Sequence, residues 1–385
     1  MSEGRVPDAL APPPRHPRFP LMDGMRAFAV LCVVVVHCAV FGGALGDDPA
    51  GRLLAHLNVG VAVFFLISGF LLYRPFIAHH GGGPAAPDVA DYAKRRFLRI
   101  FPAYWLALTV LTILPATVGV SDGEWLDQYA LAQTLPVRAG AGCTGAPDCG
   151  LAQTWSLVVE VTFYAVLPLY ALAAAWLTGR LSGRRWLAAE LGLLVGLSAL
   201  SIIAHFYWVE SGPRSWLAGS VGAFVFWFAL GMGLACASVG LEGRRLPRAL
   251  EAITSRPLLP WLVAIALYAG LALGLPPTPY LTERGDQVLV HLGFGLIALL
   301  LMLPAVFGGD RGGAPRRLLA TRVMSSLGLI SYGVFLWHYA VALELGEEGA
   351  GFAVVLAATL AISIVVGTAS YLLLERPLLR LKYRR

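Results

Sequence analysis

Apolar runs about as long as a membrane-spanning helix fill most of the chain, and they restrict its fold more than any other feature. Ten stand out, over approximately 20–41, 53–73, 99–118, 155–177, 187–208, 216–239, 257–276, 288–308, 325–345 and 351–374. Each is close to the roughly 20 residues that cross a hydrocarbon core. A bilayer offers no water to satisfy backbone polar groups, so such runs fold as packed helices. The expected fold class is therefore all-α, a polytopic membrane helix bundle of about ten transmembrane helices. Charged residues are 14 % of the 385, against about 25 % in a soluble domain, and they cluster between the runs.

With the N-terminus taken as cytoplasmic, 24 of the 29 Lys and Arg fall on that side, and Arg26 lies within the first run. Only Arg52, Arg138, Arg214 and Arg284 fall opposite. This obeys the positive-inside rule and puts both termini in the cytoplasm of a multi-pass inner-membrane protein. The formal charge of +6 thus reports topology, and no nucleic-acid partner is expected. Residues 1–19 hold six prolines, counting Pro20 at their edge, and read as a disordered lead-in. Residues 20–374 read as the transmembrane domain and 375–385 as a basic cytoplasmic tail, with no soluble domain appended. The first run carries charges and lacks a small-residue cleavage site, so it reads as an uncleaved span rather than a signal peptide.

That first run, PLMDGMRAFAVLCVVVVHCAVF, contains Asp23, Arg26 and His37. At 100° per residue Arg26 lies about 20° and Asp23 about 40° from His37, so all three share one helix face. Ionisable groups at membrane depth cost at least about 2.5–3.5 kcal/mol each and normally face a protein interior or a wet cavity. Asp23 stands one turn before Arg26 and is placed to hold it. Ser68 and Gly69 interrupt a bulky second run; helix packing and a place near a ligand explain them equally well.

Arg96 and Arg99 share a helix face at the start of the third run. Two guanidiniums there can grip phosphate oxygens, although anionic lipid headgroups attract the same residues. Cys143 and Cys149 lie in an irregular, acidic outer loop and read as a disulfide, while Cys32, Cys38 and Cys236 read as buried small hydrophobes. The fourth run opens with Trp155 and Ser156 and brings Glu160 into the bundle at a depth similar to His37, where a carboxylate can hold or tune an imidazole. The ninth run contributes Tyr332 and His338. Ser68, Trp155, Ser156, Tyr332 and His338 are the candidate substrate-binding residues. The remaining His residues are scattered over different runs without ligand spacing, so no metal site is expected. Lipid-facing and partner-facing apolar surfaces read alike, which leaves the oligomeric state open.

Five stretches in order, LMDGMRAFAVLCVVVVH, FFLISGFLLYRPF, RRFLRIFPAYW, TWSLVVEVTFY and LGLISYGVFLWH, with an ERPLLR ending, follow one pattern. The chain resembles the acyltransferase-3 family of polytopic bacterial O-acyltransferases, which move acyl groups from coenzyme A thioesters onto sugars and related hydroxyl acceptors. The resemblance implies that Arg26 and His37 are essential to catalysis and that Arg96 and Arg99 act on the coenzyme A side. It also implies that Glu160 is the acidic residue of a Ser-Leu-x-x-Glu motif. Met22 stands where the family usually has Leu, and Phe335 where Tyr is common.

The function expected is acyl transfer, acetyl by default, from acyl-CoA as co-substrate to a hydroxyl of a cell-envelope glycan, glycolipid or glycosylated metabolite. His37, Arg26 and Glu160 are the candidate catalytic residues, with His37 as general base; Arg96, Arg99 and Asp23 are the candidate donor-binding residues. A transporter with Asp23, Arg26, His37 and Glu160 along a substrate or proton path would share the same composition. The ordered motifs favour the enzyme.

Overall fold

A computed structural model describes residues 20–83, 85–114, 125–133, 151–208, 220–243, 245, 247–277, 283–307 and 313–381. The expected lead-in over 1–19 and the Cys143–Cys149 pair lie outside the described residues. All the regular structure within them is helical: α1 (Pro20–Phe41), α2 (Pro49–Ala55), α3 (Val59–His80), α4 (Val89–Ile113), α5 (Trp125–Tyr129), α6 (Trp155–Thr178) and α7 (Gly183–Trp208). There follow α8 (Val221–Gly240), α9 (Arg248–Ser255), α10 (Leu259–Gly274), α11 (Arg284–Phe307), α12 (Gly313–Leu319), α13 (Arg322–Glu347) and α14 (Phe352–Ser370). A π-helical turn, Tyr371–Glu375, joins α14 to α15 (Arg376–Leu381).

Among the described residues nine helices are long and apolar enough to cross a membrane. The run expected over 257–276 folds as α10, whose 16 residues rise only about 24 Å. Glu375, where the basic tail is expected to begin, is buried in the π-turn, and the helix continues to Leu381.

The first helix is central, packing against α13, α3 and α14. Small residues permit these approaches where apolar surface alone gives no preference between helix and lipid. Gly328 of α13 lies on the Asp23 backbone, and Gly69 of α3 and Gly231 of α8 each face the other helix's carbonyls so closely that a Cβ would collide. Gly69 therefore serves packing, whereas its neighbour Ser68 makes a polar contact described below. The two residues that the sequence left equivalent have separate jobs. Cys32, Cys38 and Cys236 are buried free thiols, as expected.

Candidate active site

A cavity of about 620 Å³ lies among α1, α3, α4, α6 and α13. Asp23, Arg26, Ser68, Arg96, Arg99, Ser156, Glu160 and Tyr332, all singled out in the sequence, line it. Its two ends differ in chemistry. Arg74, Arg95, Asp88 and Asp91 stand where α3 ends and α4 begins, whereas Val33, Val61, Phe64 and Phe335 form an apolar end.

The cationic wall arises from local spacing. Asp88 caps α4, its carboxylate accepting from the Asp91 amide at 2.8 Å, and this starts the helix that presents the arginines. Arg95 pairs with Asp91 one turn earlier. Arg99 donates to Glu375 at 3.1 Å and lies over the Tyr332 ring, 5.7 Å from its centre. Arg26 pairs with Asp23 at 3.2 Å, as their i,i+3 spacing suggests. Arg96 differs from these three. It lies over the Tyr164 ring at 5.6 Å, makes no ion pair among the described residues, and has a buried Nε without a hydrogen-bond partner. A guanidinium oriented by an aromatic face and left without a carboxylate is suited to an incoming anion.

Beside it, Glu160 Oε1 accepts from Ser68 Oγ and from Oη of Tyr164, the ring that Arg96 covers, both at 2.5 Å. Ser156 donates to the Gln153 carbonyl at 3.2 Å, and Tyr332 to the Ile100 carbonyl at 2.9 Å.

His37, His338 and Trp155 do not line the cavity. Trp155 packs on Phe224, with ring centres 5.1 Å apart. His37 lies one turn beyond Val33, about 6 Å further along α1. Its Nδ1 is 2.9 Å from Nε2 of His338, and Tyr339 meets its ring edge-on at 5.1 Å. The expected contact between Glu160 and His37 is not formed. The helix bearing Glu160 packs against α3, α8, α7 and α4, whereas α1 packs against α13, α3 and α14, so the two helices border one cavity without packing closely on each other. Similar depth brings two residues together only on neighbouring helices.

Sequence reasoning missed Tyr164, Arg95 and Glu375 as parts of this wall. A signal existed for Glu375, an acid directly preceding Arg376 at the end of an apolar helix. None existed for its pairing with Arg99, which is 276 residues away.

A family model described as an acyltransferase domain, Acyl_transf_3, matches residues 19–373. The putative peptidoglycan O-acetyltransferase YrhL of Bacillus subtilis is 25 % identical over 85 % of this chain, which spans 49 % of YrhL. The acyltransferase MdmB of Streptomyces mycarofaciens is 26 % identical, with 97 % of this chain and 95 % of MdmB covered. The exopolysaccharide production protein ExoZ of Rhizobium meliloti is 29 % identical, with 84 % and 91 % covered. No solved structure matches the chain. The family match runs through every helix that builds the cavity, and the chain belongs to the acyltransferase-3 family of membrane acyltransferases.

Proposed function

We propose that the protein transfers an acyl group, acetyl in the simplest case, from a coenzyme A thioester to a hydroxyl of a carbohydrate-containing acceptor of the cell envelope or of a glycosylated metabolite. The observation that carries this reading is the asymmetry of the cavity. A wall of arginines, with Arg96 lacking a carboxylate, leads to an apolar end one helical turn from His37. Phosphates of the donor suit Arg96, Arg99 and Arg26, and its acyl end suits Val33, Phe64 and Phe335. The surplus of Lys and Arg on one side supports a cytoplasmic arginine-rich mouth, where coenzyme A thioesters are made. The likeness to YrhL, a putative peptidoglycan O-acetyltransferase, and to ExoZ, an exopolysaccharide production protein, supports a glycan acceptor.

In this mechanism the acceptor oxygen attacks the thioester carbonyl while His37 takes its proton, a step worth roughly 10²–10⁴ in rate. The new C–O bond forms, the C–S bond breaks, and the proton returns from His37 to the departing sulfur. Arg26, braced by Asp23, stabilises negative charge on the donor. The bonds from Ser68 and Tyr164 hold Glu160 in the cavity lining beside Arg96, where its second oxygen is available to a substrate hydroxyl.

The test is transfer from radiolabelled acetyl-CoA into glycan fractions, comparing membranes with equal amounts of wild type and His37→Ala. Label that depends on His37 supports the reading and identifies the acceptor fraction. Equal label in both removes His37 from the chemistry. Absence of label in both, with purified wild type also unable to hydrolyse or transfer from acetyl-CoA, rejects the donor. Accumulation of an acylated enzyme with donor alone would exclude the direct transfer written here.

A further inference from the structure

The sequence places His338 among the substrate contacts, but its surroundings suit a different duty. It is 0 % exposed, and both ring nitrogens are engaged. Nδ1 lies 2.8 Å from the Phe335 carbonyl oxygen and 3.2 Å from that of Val334, while Nε2 faces His37 Nδ1 at 2.9 Å. Carbonyl oxygens only accept, so the hydrogen of His338 is on Nδ1. Its Nε2 is then a lone pair in the neutral ring. The hydrogen between the two rings must therefore belong to His37 Nδ1, which leaves the lone pair of His37 on Nε2.

We propose that His338 is a positioning residue that holds His37 in the Nδ1–H tautomer, orients its Nε2 as the proton acceptor and stabilises the imidazolium formed when Nε2 is protonated. The inference rests on His37 being the general base. It gives a buried histidine the part that a carboxylate or backbone carbonyl plays behind other catalytic imidazoles. A neutral partner suits membrane depth, where a carboxylate would be costly. The Phe335 carbonyl sets His338, and His338 acts on His37 together with a backbone hydrogen bond of His37 to Val33. Tyr339 closes a second side of the ring, so the imidazole has little freedom to turn.

Two replacements separate positioning from packing. In His338→Gln the side-chain carbonyl can accept from His37 and the amide can donate to the Phe335 carbonyl, whereas His338→Met fills the space without an acceptor. Purified in lipid nanodiscs, the Met variant is expected to lose about 10- to 100-fold in kcat, with little change in donor KM or thermal midpoint. The Gln variant should recover most of the loss. Wild-type activity in both variants, or equal loss in both with lowered thermal midpoints, overturns the proposal.

Nitrogen-15 spectra of histidine-labelled protein, with His37 assigned by its loss in His37→Gln, give a readout without substrate. Wild type should show His37 with a protonated Nδ1 and a bare Nε2, and the Met variant a shift toward Nε2–H. Wild-type His37 carrying its hydrogen on Nε2 overturns the proposal whatever the kinetics. If His37→Ala keeps full activity, the base reading fails, while the spectrum still reports separately whether His338 sets the tautomer.

Discussion

Two carboxylates in this bundle have nearly the same chemistry and opposite prospects. Glu160 on α6 accepts from a serine and a tyrosine, and Glu190 on α7 accepts from Tyr73 at 2.9 Å, Thr178 at 2.9 Å and His80 at 3.1 Å. Both nodes draw on α3, which supplies Ser68 to one and Tyr73 and His80 to the other. Glu190 is 0 % exposed and has both oxygens bonded, so it ties α3, α6 and α7 together with nothing left to offer a ligand. Glu160 uses one oxygen and lines the cavity that also holds Arg96. Burial of an ionisable residue in a membrane protein therefore does not mark a site by itself. An open face and an unused polar atom distinguish the two.

The comparison would break first at Glu190. Removing Glu190 leaves the buried donors of Tyr73, Thr178 and His80 without an acceptor, at about 1–3 kcal/mol for each, so Glu190→Ala is expected to lower the unfolding midpoint in detergent strongly. The specific activity of the protein that remains folded should stay near wild type. A stable Glu190→Ala protein with no activity would move Glu190 from the scaffold to the chemistry.

Arg96→Ala comes next. Hydrogen bonds to charged groups contribute about 1.5–3 kcal/mol, which corresponds to roughly a 10- to 150-fold rise in donor KM, measured by initial rates with acetyl-CoA. Stability should hardly change, because Arg96 has no carboxylate to leave behind. An unaltered KM would assign the wall to lipid headgroups.

Glu160→Gln keeps an acceptor for Ser68 and Tyr164 while removing the charge. A loss of about 1–2 kcal/mol in transition-state stabilisation, near tenfold in kcat/KM, is expected with the midpoint maintained. A lowered midpoint with kcat/KM unchanged would class Glu160 with Glu190.

The finest test pairs two hydroxyl deletions, each worth about 1 kcal/mol. Tyr73→Phe should be read in the unfolding midpoint and Ser68→Ala in kcat/KM. Exchange of the two effects would reverse the assignment of the nodes.

How much of this was legible in the sequence depends on the distance over which each signal acts. The Asp23–Arg26 pair and the shared face of Arg96 and Arg99 follow from helical spacing within one run, and the cavity receives all four. Glu160 was recognisable as an ionisable residue out of place, but its partner was not. The expected partner, His37, is on α1, which borders the same cavity as α6 but does not pack closely on it. Glu190 carries the same kind of signal as Glu160, and only its closed surroundings tell them apart.

The sequence by itself determined that the chain is a helical membrane protein and which residues within a run share a face. Those properties depend on hydropathy and on a 1.5 Å rise repeated within one segment. Several helix bounds, such as the start of α4 at Val89 ahead of the run read from 99, differ from the apolar runs. Only the tertiary structure decided that His37 meets His338 across 301 residues, that Arg99 meets Glu375, and that Glu160 is bonded to Ser68 and Tyr164 rather than to His37. In a membrane, apolar surface favours lipid and neighbouring helix alike. The choice of neighbours thus falls to small residues such as Gly69 and Gly328, whose complementary surfaces exist only once the helices are packed.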